Sequence, residues 1–215
     1  MRLCSIGRLR MARSKSSTRW LKEHFSDPFV KRAQAEGWRS RAVFKLEELI
    51  ERDRLLKPGM IVVDLGAAPG GWSQMVRERL GDAGRIVALD ILSMQGIAGV
   101  EFIEGDFREE AVVTRLEALL DGTPVDLVLS DMAPNMSGVD SADQARAMHL
   151  AELAKEFAAA HLKPGGAFVV KLFQGRGFDE YLKNLRKAYE RVSMRKPKAS
   201  RARSSEVYAI ATGKK

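Results

Sequence analysis

At 215 residues, 45% apolar and 30% charged, the chain suits one globular domain with a sizeable core and a short appendage. No apolar run approaches the ~20 residues of a membrane span; the first twenty residues lack the apolar stretch of a secretory signal, and Cys4, the single cysteine, excludes an internal disulfide and a thiolate metal cluster. The net charge of +8 is uneven: residues 1–45 hold 12 Lys/Arg against 3 Asp/Glu, residues 46–185 hold 14 against 23, and residues 186–203 hold 8 against 1. Two basic blocks around an acidic middle favour a phosphate-backbone partner over a solvated tail or a lipid surface, and a cytoplasmic protein is expected.

Residues 1–18, rich in Arg, Lys and Ser without periodicity, read as a loose basic arm. Residues 19–215 read as one domain, and Met11 is a second candidate for the true start. Residues 20–50 are helical, broken near Asp27-Pro28 and Gly37, with a second helix from about Ser40 that turns Val43, Phe44 and Leu46 or Leu49 inward. After the Lys57-Pro58-Gly59 turn, strands are expected at 61–65, 85–90, 100–103, 125–130, 166–173, 192–195 and 206–212. Helices are expected at 72–80, 111–120, 142–161 and 179–189. The alternation predicts a Rossmann-like α/β fold: a mostly parallel seven-stranded sheet covered by helices on both faces. The last two strands, joined by a basic loop without a helix, read as an antiparallel hairpin at one edge.

The first strand runs into Asp64-Leu65-Gly66-Ala67-Ala68-Pro69-Gly70-Gly71-Trp72-Ser73. In an open α/β sheet ligands bind at the carboxyl ends of the strands, and glycines let the backbone approach them. Asp90 ends the second strand, where a carboxylate accepts from the ribose hydroxyls of a nucleoside cofactor. Asp106, after the third strand, is placed to receive an adenine amine. Pro69 interrupts a dinucleotide fingerprint and removes one amide donor. Together Asp64, Gly66, Pro69, Gly70, Trp72, Asp90, Asp106 and Asp131 outline a pocket for S-adenosylmethionine rather than a nicotinamide dinucleotide. Each lone Asp is also an ordinary helix-cap or strand-end residue.

Asp131 ends the fourth strand, and Lys171 stands among apolar residues in the fifth, a costly position unless the lysine is paired or useful. If those strands are neighbours, both side chains reach one rim, where an antiparallel seventh strand would deliver Glu206. The plainer reading of Lys171 is a stem packed on apolar surface with its ammonium reaching water. Lys45, on the helix before the first strand, approaches from above.

With these residues in view, segments 40–46, 64–73, 130–138, 169–175 and 200–212 resemble the FtsJ/RrmJ family of ribose 2′-O-methyltransferases, a match running from about Trp20 to the C-terminus. The resemblance implies a catalytic Lys45-Asp131-Lys171-Glu206 tetrad, S-adenosylmethionine as methyl donor, and a uridine of ribosomal RNA in the large subunit as acceptor. Direct in-line transfer is expected, with Lys171 orienting the ribose hydroxyl; to take its proton the lysine has to be neutral, whereas Asp131 and Glu206 favour its charged form. Arg39, Arg41, Lys196, Lys198, Arg201 and Arg203 are candidate RNA contacts. Tyr208 either lines the substrate side or is a core strand tyrosine, and Trp20 and Trp38 either stack on bases or pack. No residue set calls for a metal, and a monomer is expected. Three rivals stay open: a dehydrogenase, a non-catalytic RNA-binding module, and a related 2′-O-methyltransferase acting on transfer RNA or a cap.

Overall fold

The computed structural model describes residues 26–215; the basic arm, Cys4, Met11 and Trp20 lie outside the described residues. Helix α1 (Pro28–Ala35) begins where Asp27 Oδ1 accepts from the Phe29 amide at 2.9 Å and Pro28, lacking an N–H to satisfy, takes the first helical position. The break expected at Asp27-Pro28 is present: Asp27 is not helical, and the new helix starts at Pro28. Helix α2 (Val43–Asp53) begins three residues after Ser40. No side chain caps it, and the Val43 amide closes a turn onto the Ser40 carbonyl at 3.3 Å. It buries Leu46 and Leu49 together with Val43 and Phe44, as the i, i+3 spacing requires.

There follow β1 (Ile61–Leu65), α3 (Gly71–Leu80), β2 (Arg85–Asp90), β3 (Glu101–Glu104), α4 (Glu110–Leu120), β4 (Val125–Ser130), α5 (Asp140–His161), β5 (Leu162–Phe173), α6 (Phe178–Ala188), β6 (Tyr189–Arg195) and β7 (Glu206–Lys214). The strands form one sheet in the order β3-β2-β1-β4-β5-β7-β6. Neighbours from β3 to β5 pair parallel, and β7 runs antiparallel to both β5 and β6. Strand β5 starts four residues before the expected 166: Leu162 already pairs with Val125, and the register shifts before Ala167 resumes beside Leu127. Helix α6 ends one residue short of the expected 189, because Tyr189 is already paired with Lys214.

Each strand alternates its side chains between two cores. Val62, Ile86, Leu127, Leu129, Val169 and Ile210 pack under α2 and α3. Val63, Val87, Val128, Phe168 and Val170 pack under α4, α5 and α6. The chain leaves β1 toward β2 and β3 and returns to β4 on the other side of β1. That reversal opens a crevice above the carboxyl ends of β1 and β4, where the fold receives ligands.

Candidate active site

The register of β5 against β7 sets Lys171 directly opposite Tyr208, and Phe173 opposite Glu206. Strand β4, parallel to β5, ends at Ser130, so Asp131 follows on the same rim. Lys171 Nζ lies 3.1 Å from Asp131 Oδ1 and also donates to the Asp131 carbonyl. Across the rim, Lys45 Nζ on the first turn of α2 lies 2.7 Å from Glu206 Oε1, which also accepts from Ser200 Oγ at 2.8 Å. The Tyr208 hydroxyl joins the two ion pairs, donating to Asp131 Oδ1 at 2.7 Å and accepting from Lys45 Nζ at 3.3 Å. Two positive and two negative side chains thus meet in one hydrogen-bonded cluster without net charge. Such a cluster survives burial because each charge has a partner. Lys171 is buried rather than reaching into water.

Tyr208 itself is fully buried, its ring 5.8 Å from that of Trp72. Burial, with Asp131 and Glu206 nearby, pushes its phenol well above the usual value, so it stays a protonated donor. Of its two expected roles the strand core is where the ring sits, yet the hydroxyl belongs to the tetrad. That bridge depends on a cross-strand register, and only the residue's proximity to Glu206 hinted at it.

The neighbouring crevice is built from backbone. Gly66 adopts φ 82°, and a Cβ there would come within 2.8 Å of the Met132 amide nitrogen. Gly70, at φ 103°, has Arg39, Met94 and Ile97 within contact of the same imaginary atom. Pro69 follows a cis peptide bond. Asp90 Oδ2 accepts from the Ala68 amide at 2.9 Å and Oδ1 from Leu92 at 2.8 Å, so it braces both loops and keeps spare lone pairs for a ligand hydroxyl. Ile91 and Leu92 beside it are among the few large apolar side chains that stand in solvent. Beneath, Asp64 is wholly buried; Oδ2 accepts from Ser73 Oγ at 2.6 Å and Oδ1 has no partner among the described residues. Burial, reinforced by the like charges of Asp131 and Asp90, raises its carboxyl to about 7. Asp106 is engaged on both oxygens by Arg108, whose guanidinium holds its carboxyl below the usual range. Trp72 donates its indole N–H to the Ala42 carbonyl at 2.8 Å, tying α3 to the start of α2. Glycine cradle, unpartnered buried acid, strand-end carboxylate and exposed aliphatics fit a nucleoside cofactor.

Several of the basic residues read as RNA contacts have partners inside the protein. The Arg39 guanidinium donates to the carbonyls of Pro69 at 3.3 Å, Gly96 at 2.7 Å and Gln95. Arg41 is largely buried between Asp27 and the Ala199 carbonyl. Lys196 donates to the carbonyls of Ser204 at 2.6 Å and Ala202 at 3.4 Å, shaping the β6–β7 loop. Lys198 and Arg203 are exposed and Arg201 half-buried on that loop. Trp38 is half-buried, packs against the α2 side of the sheet and donates to Glu36 at 3.0 Å. Asp143, unmarked in the sequence, is buried and receives the amides of Ser137 at 2.9 Å and Gly138 at 3.0 Å. Those bonds, with Ser137 Oγ and Arg146, hold its carboxyl at about 2 and pin the loop after Asp131.

Comparison with known proteins agrees with this geometry. Residues 38–214 match the family model of the FtsJ-like methyltransferases. The ribosomal RNA large subunit methyltransferase E of Xanthomonas oryzae pv. oryzae is 70% identical over 204 residues, covering 95% of this chain and 97% of that protein. Its namesake from Stenotrophomonas maltophilia is 70% identical over 203 residues, covering 94% and 97%. A crystal structure of a Plasmodium falciparum protein assigned as a ribosomal RNA methyltransferase superposes with a TM-score of 0.74 at 28% identity, over 82% of this chain and 98% of that one. Human methyltransferase-like protein 13, solved in complex with SAH, shares the fold at a TM-score of 0.52 and 15% identity, over 79% of each chain. The matched span takes in the glycine crevice and all four members of the buried charge cluster, and the chain belongs to the FtsJ-like methyltransferase family.

Proposed function

We propose that the protein transfers a methyl group from S-adenosylmethionine to the ribose 2′-hydroxyl of a uridine in large-subunit ribosomal RNA, acting on the assembled subunit. The observation that carries this reading is the buried, charge-balanced Lys45-Asp131-Lys171-Glu206 cluster on the rim of a glycine-lined nucleoside crevice. The names of the 70% identical relatives support the ribosomal acceptor.

When bound in the crevice, S-adenosylmethionine supplies a methyl group on a positively charged sulfur. Gly66 and Gly70 would admit it against the backbone, Asp90 would take its ribose hydroxyls, and Ile91 and Leu92 would offer apolar cover to the adenine. Transfer to the 2′-oxygen would exchange the methyl–sulfur bond for a methyl–oxygen bond, and the hydroxyl proton would have to leave. Lys171 Nζ, fixed by Asp131 on one side, holds the 2′-oxygen in line and, acting as the neutral amine, receives that proton, which restores the charged ion pair with Asp131. Lys45, Glu206 and Tyr208 hold the pair in place and shield it from water. Preorganised charges of this kind act without reorganising during the reaction.

Methyl-labelled S-adenosylmethionine, incubated separately with unmodified large subunits, naked ribosomal RNA and transfer RNA, tests the proposal. Label recovered as 2′-O-methyluridine from the subunits alone is the expected result. Label in transfer RNA would keep the chemistry and replace the acceptor; no label in any RNA would overturn both.

A further inference from the structure

A cleft of about 450 Å³ opens on the same rim, between the loop after β4 and the loop after β5, lined by Met136, Asp140, Gln144, Phe173, Arg176 and Ser205 among others. It borders the tetrad, since Phe173 pairs with Glu206 and Ser205 precedes that glutamate. None of these side chains takes part in the charge cluster.

Three features describe what the cleft would accept. Met136 is 64% exposed, although its loop is anchored through the neighbouring Ser137 and Gly138 on Asp143. An apolar side chain held out in water gains from a flat apolar partner. Gln144 Nε2 donates to the Phe173 carbonyl at 3.0 Å and the Arg176 carbonyl at 3.4 Å. Its donors are spent joining the two loops, and Oε1 is left as an acceptor in a lining that also includes Asp140. Gly175 keeps this amide uncovered, for a Cβ there would lie 2.9 Å from Gln144 Cδ. The Arg176 guanidinium, in the same lining as Asp140 and Asp143, has no partner among the described residues.

An apolar surface, hydrogen-bond acceptors and one unpaired guanidinium are the complement of a single unstacked nucleotide. We infer that this cleft takes the nucleotide adjoining the methylated one, its base over Met136 and its phosphate at Arg176. The acceptors favour a base bearing an amino group; uracil presents two carbonyls and no such group. This inference rests on the reading of the site as an RNA methyltransferase.

The test uses unmodified large subunits in which each nucleotide flanking the accepting uridine is replaced in turn by the other three bases. Wild type, Met136→Ala and Arg176→Ala are compared on each substrate. Neither side chain is built into a core or bonded elsewhere, so both variants keep the wild-type melting temperature and KM for S-adenosylmethionine. On one flank, replacing an amino-bearing base by uridine lowers kcat/KM about tenfold, the scale of one lost base contact. Met136→Ala lowers kcat/KM by a similar factor on the native sequence and adds little on the uridine-substituted one. Arg176→Ala reduces the slope of log kcat/KM against log salt by about one, as loss of a phosphate contact does. Indifference to both flanking bases, or losses that multiply fully between Met136→Ala and the uridine substrate, would overturn the cleft while leaving methylation intact. Wild type that methylates no RNA would overturn the function on which it rests.

Discussion

At the scale of single residues, the proposed chemistry rests most heavily on Lys171. Lys171→Ala is expected to abolish turnover while cofactor affinity, measured by calorimetry, stays near wild type; equal loss of both would remove it from the chemistry. Tyr208→Phe is a finer probe. It keeps the buried ring but deletes the hydroxyl that links Asp131 to Lys45. A buried bond to a charged group contributes about 1.5–3 kcal/mol, so turnover should fall roughly tenfold to a hundredfold. Unchanged turnover would reduce the bridge to a packing detail. Asp64 makes a prediction about pH. Its carboxyl is raised from 3.8 to about 7, so the folded protein holds that proton more tightly than the unfolded chain. This acid therefore lowers stability as pH rises from about 4 to about 7, by at most about 4 kcal/mol. Asp64→Asn, which resembles the protonated acid, should flatten that part of the profile in urea unfolding at pH 5 and 8. A slope that survives the substitution would assign the titration elsewhere. Asp143, held at about 2, loses its contribution only below the usual carboxylate range and does not enter this window.

At the scale of elements, the segment between α1 and α2 links the tetrad to the crevice. Arg39 crosses from it to three carbonyls on the two loops that form the crevice wall. Its own amide donates to Gln74 Oε1 at 3.1 Å, and Gln74 donates back to the Gly37 carbonyl at 3.2 Å. Arg39→Ala should raise the KM for S-adenosylmethionine about tenfold with a smaller effect on kcat. Arg39→Lys should not rescue it, since one ammonium lacks the planar fork that spans three acceptors. Steady-state kinetics with saturating RNA decides this, and an effect on RNA KM alone would return Arg39 to the RNA surface. The contrast with Lys171 shows what a sequence discloses. A lysine inside an apolar strand is conspicuous because burial is costly, and strand alternation tells which rim it shares with Asp131. Arg39 sits in a polar turn, and its acceptors are main-chain carbonyls of Pro69, Gln95 and Gly96, which leave no mark in residue type. For the same reason the strands were legible to within a few residues, whereas the start of α2, expected near Ser40, lies at Val43: the turn at 40–42 is closed by backbone bonds that leave no mark in residue type. Asp143 looked like any acid on a helical first turn, although it fastens the loop that follows Asp131.

At the scale of the whole molecule, charge is divided between the fold and its periphery. Arg39, Arg41, Arg195 and Lys196 are spent on internal partners, so the chain's basicity overstates what its described surface offers to phosphate. That shifts weight to the basic residues that precede the described ones. Residues 1–18 contain five Lys/Arg and no Asp/Glu. Each phosphate neutralised contributes close to one to the slope of log affinity against log salt. Deleting residues 1–18 should weaken binding to large subunits and reduce that slope by up to about 4. The melting temperature and the KM for S-adenosylmethionine should remain those of the full chain, because tetrad and crevice are completed by residues after Asp27. A filter-binding series across salt concentrations reads the slope directly. An unchanged slope would place the RNA contacts on the β6–β7 loop and the rim alone, and a lowered melting temperature would make the arm part of the fold.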